Sequence, residues 1–343
     1  MVRKQTYKLV LALTSVLLSL ICLEGVIRTT GIAPLLPKVY RTNIYIPHPI
    51  LPYHQKPSIT RTVTSGTGEF IQSMQHNSAG YRDVEHTLNK PVGTIRILGV
   101  GDSFTYGAGA SFSDTYLAVL EHLLNSNPEH PQNVEIIKAG IGGFSPLSER
   151  LLIEHEGLAY QPDLILVGFN ETDILETHIG IEEVRLYPGF LKNVQAKRLG
   201  YTRTWLILHS HLARLIHAKV SHESAQQRQI DFENSPEEVE AAWDQIENEF
   251  KTINDLATAS GATLAVCYIP LSLDKYALSR DELIRHCTPY GIRVIDTSPY
   301  LLTANKESPV YWKADGHCTA QGYRAIAQAL YETLIQKGGL LYP

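Results

Sequence analysis

The stretch Ile95-Arg96-Ile97-Leu98-Gly99-Val100-Gly101-Asp102-Ser103-Phe104-Thr105-Tyr106-Gly107 decides how the rest of the chain is read. Its first six residues form a short, mostly apolar run that ends at glycine, the pattern of a strand buried on both faces. Val134–Ile137, Leu164–Val167, Leu264–Tyr268 and Val294–Ile295 repeat it further on. Helical patterns lie between these runs, and that alternation predicts an α/β fold built on a doubly wound parallel sheet.

One of the helices is written clearly. Ser235 is followed by Pro236 and, three residues on, by Glu238, which predicts an N-cap, an N1 proline and a capping box. Val239, Trp243, Ile246, Phe250 and Ile253 then share one face, and Gly261 stands just past the end as a stop. A second helix is expected from Ser145-Pro146, and a last one from about Thr319 through Leu330.

A chain of 343 residues can bury a sizeable core as one large α/β domain or two small ones. Its 44% hydrophobic and 19% charged residues exclude a mostly disordered or fibrous chain. A net charge of −5 exerts no global pull on nucleic acid, so no nucleic-acid partner is expected. The cysteines Cys22, Cys267, Cys287 and Cys318 have neither CxxC pairing nor zinc-finger spacing, and no metal or cofactor is expected. In an oxidising compartment Cys287 and Cys318 are the candidate pair, with Cys267 buried in its strand.

Only one apolar run approaches spanning length, which excludes a multispan protein. Arg3, Lys4 and Lys8 precede the uncharged run Leu9 to Leu23, and Glu24 follows it. No convincing small-residue cleavage site lies near Cys22, so residues 1–28 are read as an uncleaved membrane anchor, with a cleaved signal and a buried N-terminal helix as the alternatives. The basic flank is expected to stay inside and the remainder to lie outside the cytoplasm, periplasmic or at the cell surface, although Arg28, Lys38 and Arg41 beyond the run act against that orientation.

Residues 29–90 carry Pro, Thr, His and Tyr with little periodicity and are read as an extended collar, with a hairpin around Ile59 to Gln75. Asn77-Ser78-Ala79-Gly80-Tyr81-Arg82 has turn chemistry suited to tucking against the domain. Residues 91–343 form the main domain. Within it about 176–235 is too long for a plain connection, and Trp205, Leu206, Leu208, Leu212 and Leu215 suggest a helical insertion.

Chemistry concentrates in four loops. Ser103 stands just past the carboxyl end of the first strand, where open α/β sheets place their ligands. Gly-Asp-Ser alone reads better as an ordinary strand-to-helix turn capped by Asp102 or Ser103. A serine hydroxyl becomes a useful nucleophile only when a base takes its proton, and histidine oriented by a carboxylate is suited to that. Asp315-Gly316-His317, just before the last helix, supplies both groups from one loop. The loop Ala139-Gly140-Ile141-Gly142-Gly143-Phe144-Ser145 offers unobstructed N–H groups for an oxyanion hole, and Gly168-Phe169-Asn170-Glu171-Thr172-Asp173 could add a side-chain donor.

In order, these segments resemble the four blocks of the SGNH, or GDSL-like, hydrolase family, over about residues 92 to 335. The resemblance implies a flavodoxin-like three-layer sandwich with a central five-stranded parallel sheet. It further implies Ser103 as nucleophile and first oxyanion donor, Gly143 as second donor, and Asp315 with His317 completing a triad. For the third donor it implies Asn170 if Gly168-Phe169-Asn170-Glu171 is the Gly-x-Asn-Asp block. A gapless count from Pro162 places Thr172-Asp173 there instead, and the two assignments stand side by side. The Asp-x-His spacing is shorter than usual and resembles membrane-anchored or periplasmic proteins that handle O-acetyl groups on exported polysaccharides, including the alginate O-acetylation proteins.

The expected activity is hydrolysis of an acyl ester, with an O-acetylated extracytoplasmic glycan as substrate and the membrane as the other partner. An O-acetyltransferase using the same acyl-enzyme and a catalytically silent glycan-binding scaffold are the alternatives.

Overall fold

The computed structural model describes residues 2–36, 40, 43–128, 133–274 and 277–336, so Lys38 and Arg41 lie outside the described residues. The chain divides into two compact units, 1–43 with 187–234, and 44–186 with 235–343.

The second unit begins with two small antiparallel pairs. β1 (Tyr45–Ile46) pairs with β2 (His54–Gln55), and β3 (Thr60–Thr64) with β4 (Ile71–Gln75). Its centre is a five-stranded sheet of β5 (Thr94–Gly101), β6 (Asn133–Gly140), β7 (Leu164–Phe169), β8 (Thr263–Tyr268) and β9 (Arg293–Asp296). Every neighbouring pair is parallel and the strand order is β6-β5-β7-β8-β9. Chain direction across the sheet therefore reverses at β5, and the crevice beyond its carboxyl end is the switch point where such folds bind ligands.

Helices cover both faces, so the strands are apolar nearly throughout. On one face Leu117, Leu120, Ile326 and Leu330 pack with Ile97, Ile136 and Leu166. On the other, Phe169 meets Trp243 and Phe250 of the helix Pro236–Ser260 at ring-centroid distances of 5.7 and 6.0 Å. Arg96 interrupts the β5 run yet is wholly buried. Its guanidinium is matched by Glu135 at 2.6 Å and by the Tyr160 and Leu88 carbonyls at 2.7 and 3.0 Å, as a buried charge requires.

The caps differ in part from expectation. Gly261 closes its helix in the left-handed conformation, and Pro236 occupies the first turn. Ser235, however, makes no side-chain cap, and the Glu238 carboxylate lies 3.5 Å from His178, so the expected capping box is absent. Thr319 does cap the last helix, Ala320–Ile335, through Gly322 N–H. Cys287 and Cys318 do not pair. Cys318 is buried beneath the helix Ala320–Ile335, whereas Cys287 ends the helix Ala277–Cys287, which packs against Pro236–Ser260; both are free thiols.

The first unit holds the helix Val2–Thr30, and Lys4–Thr30 is the one stretch among the described residues long and apolar enough to cross a membrane. The helices Val194–Leu199, Tyr201–His209 and His211–Glu233 complete it.

Candidate active site

Three glycines meet in register at the carboxyl edge of the sheet, Gly101 on β5 facing Gly140 on β6 and Gly168 on β7. The turn that follows β5 lies directly on them. A methyl group at Gly140 would stand 2.3 Å from the Tyr106 nitrogen, and one at Gly168 would stand 2.4 Å from the Thr105 hydroxyl. This close approach lets the short helix Ser103–Tyr106 start at the sheet edge with Ser103 at its first position.

Asp102 caps that helix, accepting the Phe104 N–H at 2.8 Å, so the cap and the presentation of Ser103 are parts of one turn. The turn is held from outside by residues whose role was not evident from their neighbours in sequence. Buried Arg82 donates to the Gly107 carbonyl at 2.8 Å, the Tyr106 carbonyl at 3.2 Å and the Ala110 carbonyl at 2.9 Å. Gln72 donates to the Gly107 and Ala110 carbonyls at 2.8 and 3.1 Å. The turn chemistry at 77–82 serves this placement. Asn77 Oδ1 accepts the Ala79 and Tyr81 N–H groups, and the bend delivers Arg82 to the Ser103 turn.

His317 arrives on a tight loop in which Trp312 N–H donates to the His317 carbonyl and Gly316 N–H to the Trp312 carbonyl. Trp312 Nε1 also donates to the Gly109 carbonyl at 3.0 Å, pinning the loop beside the Ser103 turn. His317 Nε2 lies 2.7 Å from Ser103 Oγ, and His317 Nδ1 lies 2.5 Å from Asp315 Oδ1. With the neutral imidazole's proton on Nδ1, toward the carboxylate, the Nε2 lone pair faces the serine hydroxyl. The Phe104 ring packs against the imidazole at 5.1 Å.

Gly143 follows β6 and Asn170 follows β7, so the two flank the end of Ser103's strand from either side. Gly143 adopts φ +84°, a conformation that favours glycine, and its N–H has no hydrogen-bond partner among the described residues. Tyr53 donates to the adjacent Gly142 carbonyl at 2.9 Å, and its hydroxyl would stand 2.7 Å from a methyl group at Gly143.

Asn170 is buried, and its amide has one orientation. Oδ1 accepts the Thr172 N–H at 2.9 Å and the Thr172 hydroxyl at 2.7 Å, while Nδ2 donates to Asp102 Oδ2 at 3.0 Å. Flipping it would set the amide nitrogen against a backbone N–H. The NH₂ group thus faces the Asp102–Ser103 turn, and the Thr172 hydroxyl is committed to Asn170. Glu171 turns away to the Tyr268 hydroxyl at 2.5 Å and the Leu271 N–H at 2.8 Å.

Behind this site is an acidic layer that sequence reading missed. Asp102, Glu149 and Asp173 are buried, and the Glu176 carboxyl has an enclosed oxygen. Burial raises all four, with mutual repulsion adding to it for Glu149, Asp173 and Glu176. Glu176 is pushed up to about 8. At Asp102 the Phe104 N–H and the Asn170 amide act against the rise. Among the described residues, no group of three or more His, Cys, Asp or Glu is arranged to hold a metal.

Comparison with known proteins gives one family. The model of the GDSL-like lipase/acylhydrolase family matches residues 100–325. No curated protein matches. Among solved structures, a catalytic mutant of Axe2, an acetylxylan esterase from Geobacillus stearothermophilus, is similar at 12% identity and TM-score 0.45, covering 72% of this chain and 98% of that one. A putative lipolytic protein of the G-D-S-L family from Desulfitobacterium hafniense DCB-2 is similar at 12% identity and TM-score 0.42, covering 69% and 98%. A member of the same lipolytic family from Veillonella parvula DSM 2008 stands at 15% and 0.41, covering 71% and 100%. The family match spans well over half of the 343 residues and contains the turn at Ser103 and the loop at His317, and this chain belongs to the GDSL-like lipase/acylhydrolase family.

Proposed function

We propose that the chain is a membrane-anchored serine esterase that cleaves acyl esters through an acyl-enzyme. The observation that carries this is the unbroken path from Asp315 through His317 to Ser103, at 2.5 and 2.7 Å.

Ser103 Oγ attacks the ester carbonyl carbon while His317 Nε2 takes the hydroxyl proton. Asp315 keeps the other ring nitrogen protonated and stabilises the imidazolium. The carbonyl oxygen becomes an oxyanion, facing Ser103 N–H, Gly143 N–H and Asn170 Nδ2. Each such donor is worth about 3 kcal/mol in comparable sites. Collapse of this intermediate breaks the bond to the leaving oxygen, which takes the proton from His317. Water, deprotonated by the same histidine, then attacks the acyl-serine, releasing the acid and restoring Ser103.

The substrate proposed is an O-acetylated glycan outside the cytoplasm. It rests on the resemblance of the Asp-x-His block to proteins that handle O-acetyl groups, and on the helix Val2–Thr30 acting as an anchor with its basic end inside.

The test uses the full chain in detergent with p-nitrophenyl acetate, with and without an oligosaccharide acceptor, beside Ser103→Ala. Nitrophenol release that needs Ser103 and no acceptor is the expected result. Acetylated oligosaccharide detected by mass spectrometry would move the reading to acetyl transfer, and equal turnover by Ser103→Ala would remove the serine mechanism.

A further inference from the structure

The helices inserted between β7 and β8 carry a composition that the ester chemistry does not use. From 187 to 222 the chain has Lys192, Lys197, Arg198, Arg203, Arg214 and Lys219 and no acidic residue. The same segment leaves large apolar side chains in solvent. Tyr201 and Trp205 are exposed one turn apart on the helix Tyr201–His209, and Ile216 and Val220 one turn apart on His211–Glu233. Cationic residues interleaved with exposed aromatic and aliphatic stripes are the pattern of helices that lie in a membrane interface.

Hydrogen bonds within the first unit set the depth of these helices. Glu24 closes the apolar run Leu9 to Leu23. Its carboxylate accepts the His211 and Leu212 N–H groups at 2.9 and 2.8 Å and the Ser210 hydroxyl at 2.9 Å, adding to the cap that Ser210 itself makes on the helix His211–Glu233 through the Ala213 N–H. Arg28 adds a bond to the His209 carbonyl at 3.3 Å. The junction of the two helices is thereby held beside residues 24–28, where the apolar surface of Val2–Thr30 gives way to charge. With that helix spanning a bilayer of about 30 Å hydrocarbon thickness, the junction falls at the headgroup level, where tryptophan and tyrosine concentrate.

We propose that residues 201–220 form an interfacial platform that lies on the bilayer surface beside the anchor, with Trp205, Tyr201, Ile216 and Val220 entering the headgroup boundary and Arg203 and Lys219 meeting anionic lipid. The proposal rests on the anchor reading of Val2–Thr30 for its depth, and on the charge and exposure of 187–222 for its lipid partner.

The test reconstitutes the full chain into vesicles of phosphatidylglycerol and phosphatidylcholine, the latter brominated high on its acyl chains, and compares wild type with Trp205→Phe. The chain has three tryptophans, so shallow bromines are expected to remove roughly a third of the wild-type emission and almost none of the variant's. Flotation after alkaline carbonate reports the anchor separately. Protein that floats without Trp205-dependent quenching keeps its anchor and overturns the platform, as it would if a second copy or another protein covered this face. Trp205-dependent quenching of protein that carbonate strips supports the platform and overturns the anchor. Neither signal overturns both.

Discussion

Glu69, at the turn between β3 and β4, accepts the backbone N–H of Asp315 at 2.7 Å and that of Ala314 at 2.9 Å. Two successive N–H groups pointing at one anion make a small nest, closed here by Gly316 in a left-handed conformation. Phe70 reinforces the contact by packing on Trp312 at 5.5 Å. The carboxylate proposed to orient the base is thus itself positioned by a hairpin 246 residues earlier in the chain.

Glu69→Ala is accordingly expected to lower kcat/KM about tenfold, from loss of charge-assisted bonds worth about 1.5 kcal/mol at a half-buried position. Glu69→Gln keeps an acceptor oxygen and should recover most of the rate. Steady-state kinetics on p-nitrophenyl acetate decide it. A rise in KM at unchanged kcat, or equal losses in both variants, would show that Glu69 does not position the triad.

Asp315→Asn asks what the carboxylate does. An amide in its place can accept from Nδ1–H or donate to Nδ1, so the imidazole tautomer is no longer fixed and the imidazolium loses its counter-charge. A drop in kcat of about 10⁴ is expected, as measured for this change in the serine-protease triad. The readout is pre-steady-state nitrophenol release with the folded state checked by circular dichroism; a loss under tenfold would leave Asp315 a structural residue only.

Much of the framework was legible. All five strands lie where short apolar runs predicted them, because strands covered on both faces must be apolar and few other segments are. The Ser103 and His317 loops could be located because each joins a polar, glycine-bearing stretch to a strand end or a helix cap. What stayed hidden depends on tertiary approach. Arg96 lies inside a run read as buried on both faces, and only the partners Glu135 and Tyr160 explain how its charge is accommodated there. Arg82 and Glu69 hold the site through backbone atoms of other segments, which leave no trace in local pattern. The third donor was open for the same reason. Asn170 and Thr172 are both competent types, and the bond that turns the Asn170 amide toward the Asp102–Ser103 turn is a tertiary detail.

That bond yields a graded expectation. Asn170→Ala should reduce kcat by about 10²–10³, the cost of one oxyanion donor. Thr172→Val removes only the hydroxyl that orients the amide and should cost about tenfold, on the order of 1 kcal/mol. Parallel kinetics on the two variants test the assignment, and a larger loss in Thr172→Val than in Asn170→Ala would transfer the donor role to Thr172.

The acidic layer behind the site gives a pH signature whose sign is fixed by its direction of shift. Glu176 is raised to about 8 by burial first and by Asp102 second, so the folded protein binds a proton there that the unfolded chain has released. Stability from this group is full in mild acid and is lost as pH rises from the ordinary carboxylate range through about 8. Asp102, Glu149 and Asp173 shift the same way and add to the slope. Urea unfolding should therefore give a free energy lower at about pH 8.5 than at about pH 5.5 by a few kcal/mol, with about 1.4 kcal/mol per pH unit as the limit for one group. Glu176→Gln keeps the neutral shape and cannot ionise, so it should flatten that dependence and stabilise the protein at the alkaline end. A variant with the wild-type slope would show that Glu176 titrates normally and that the burden lies on the other three carboxyls.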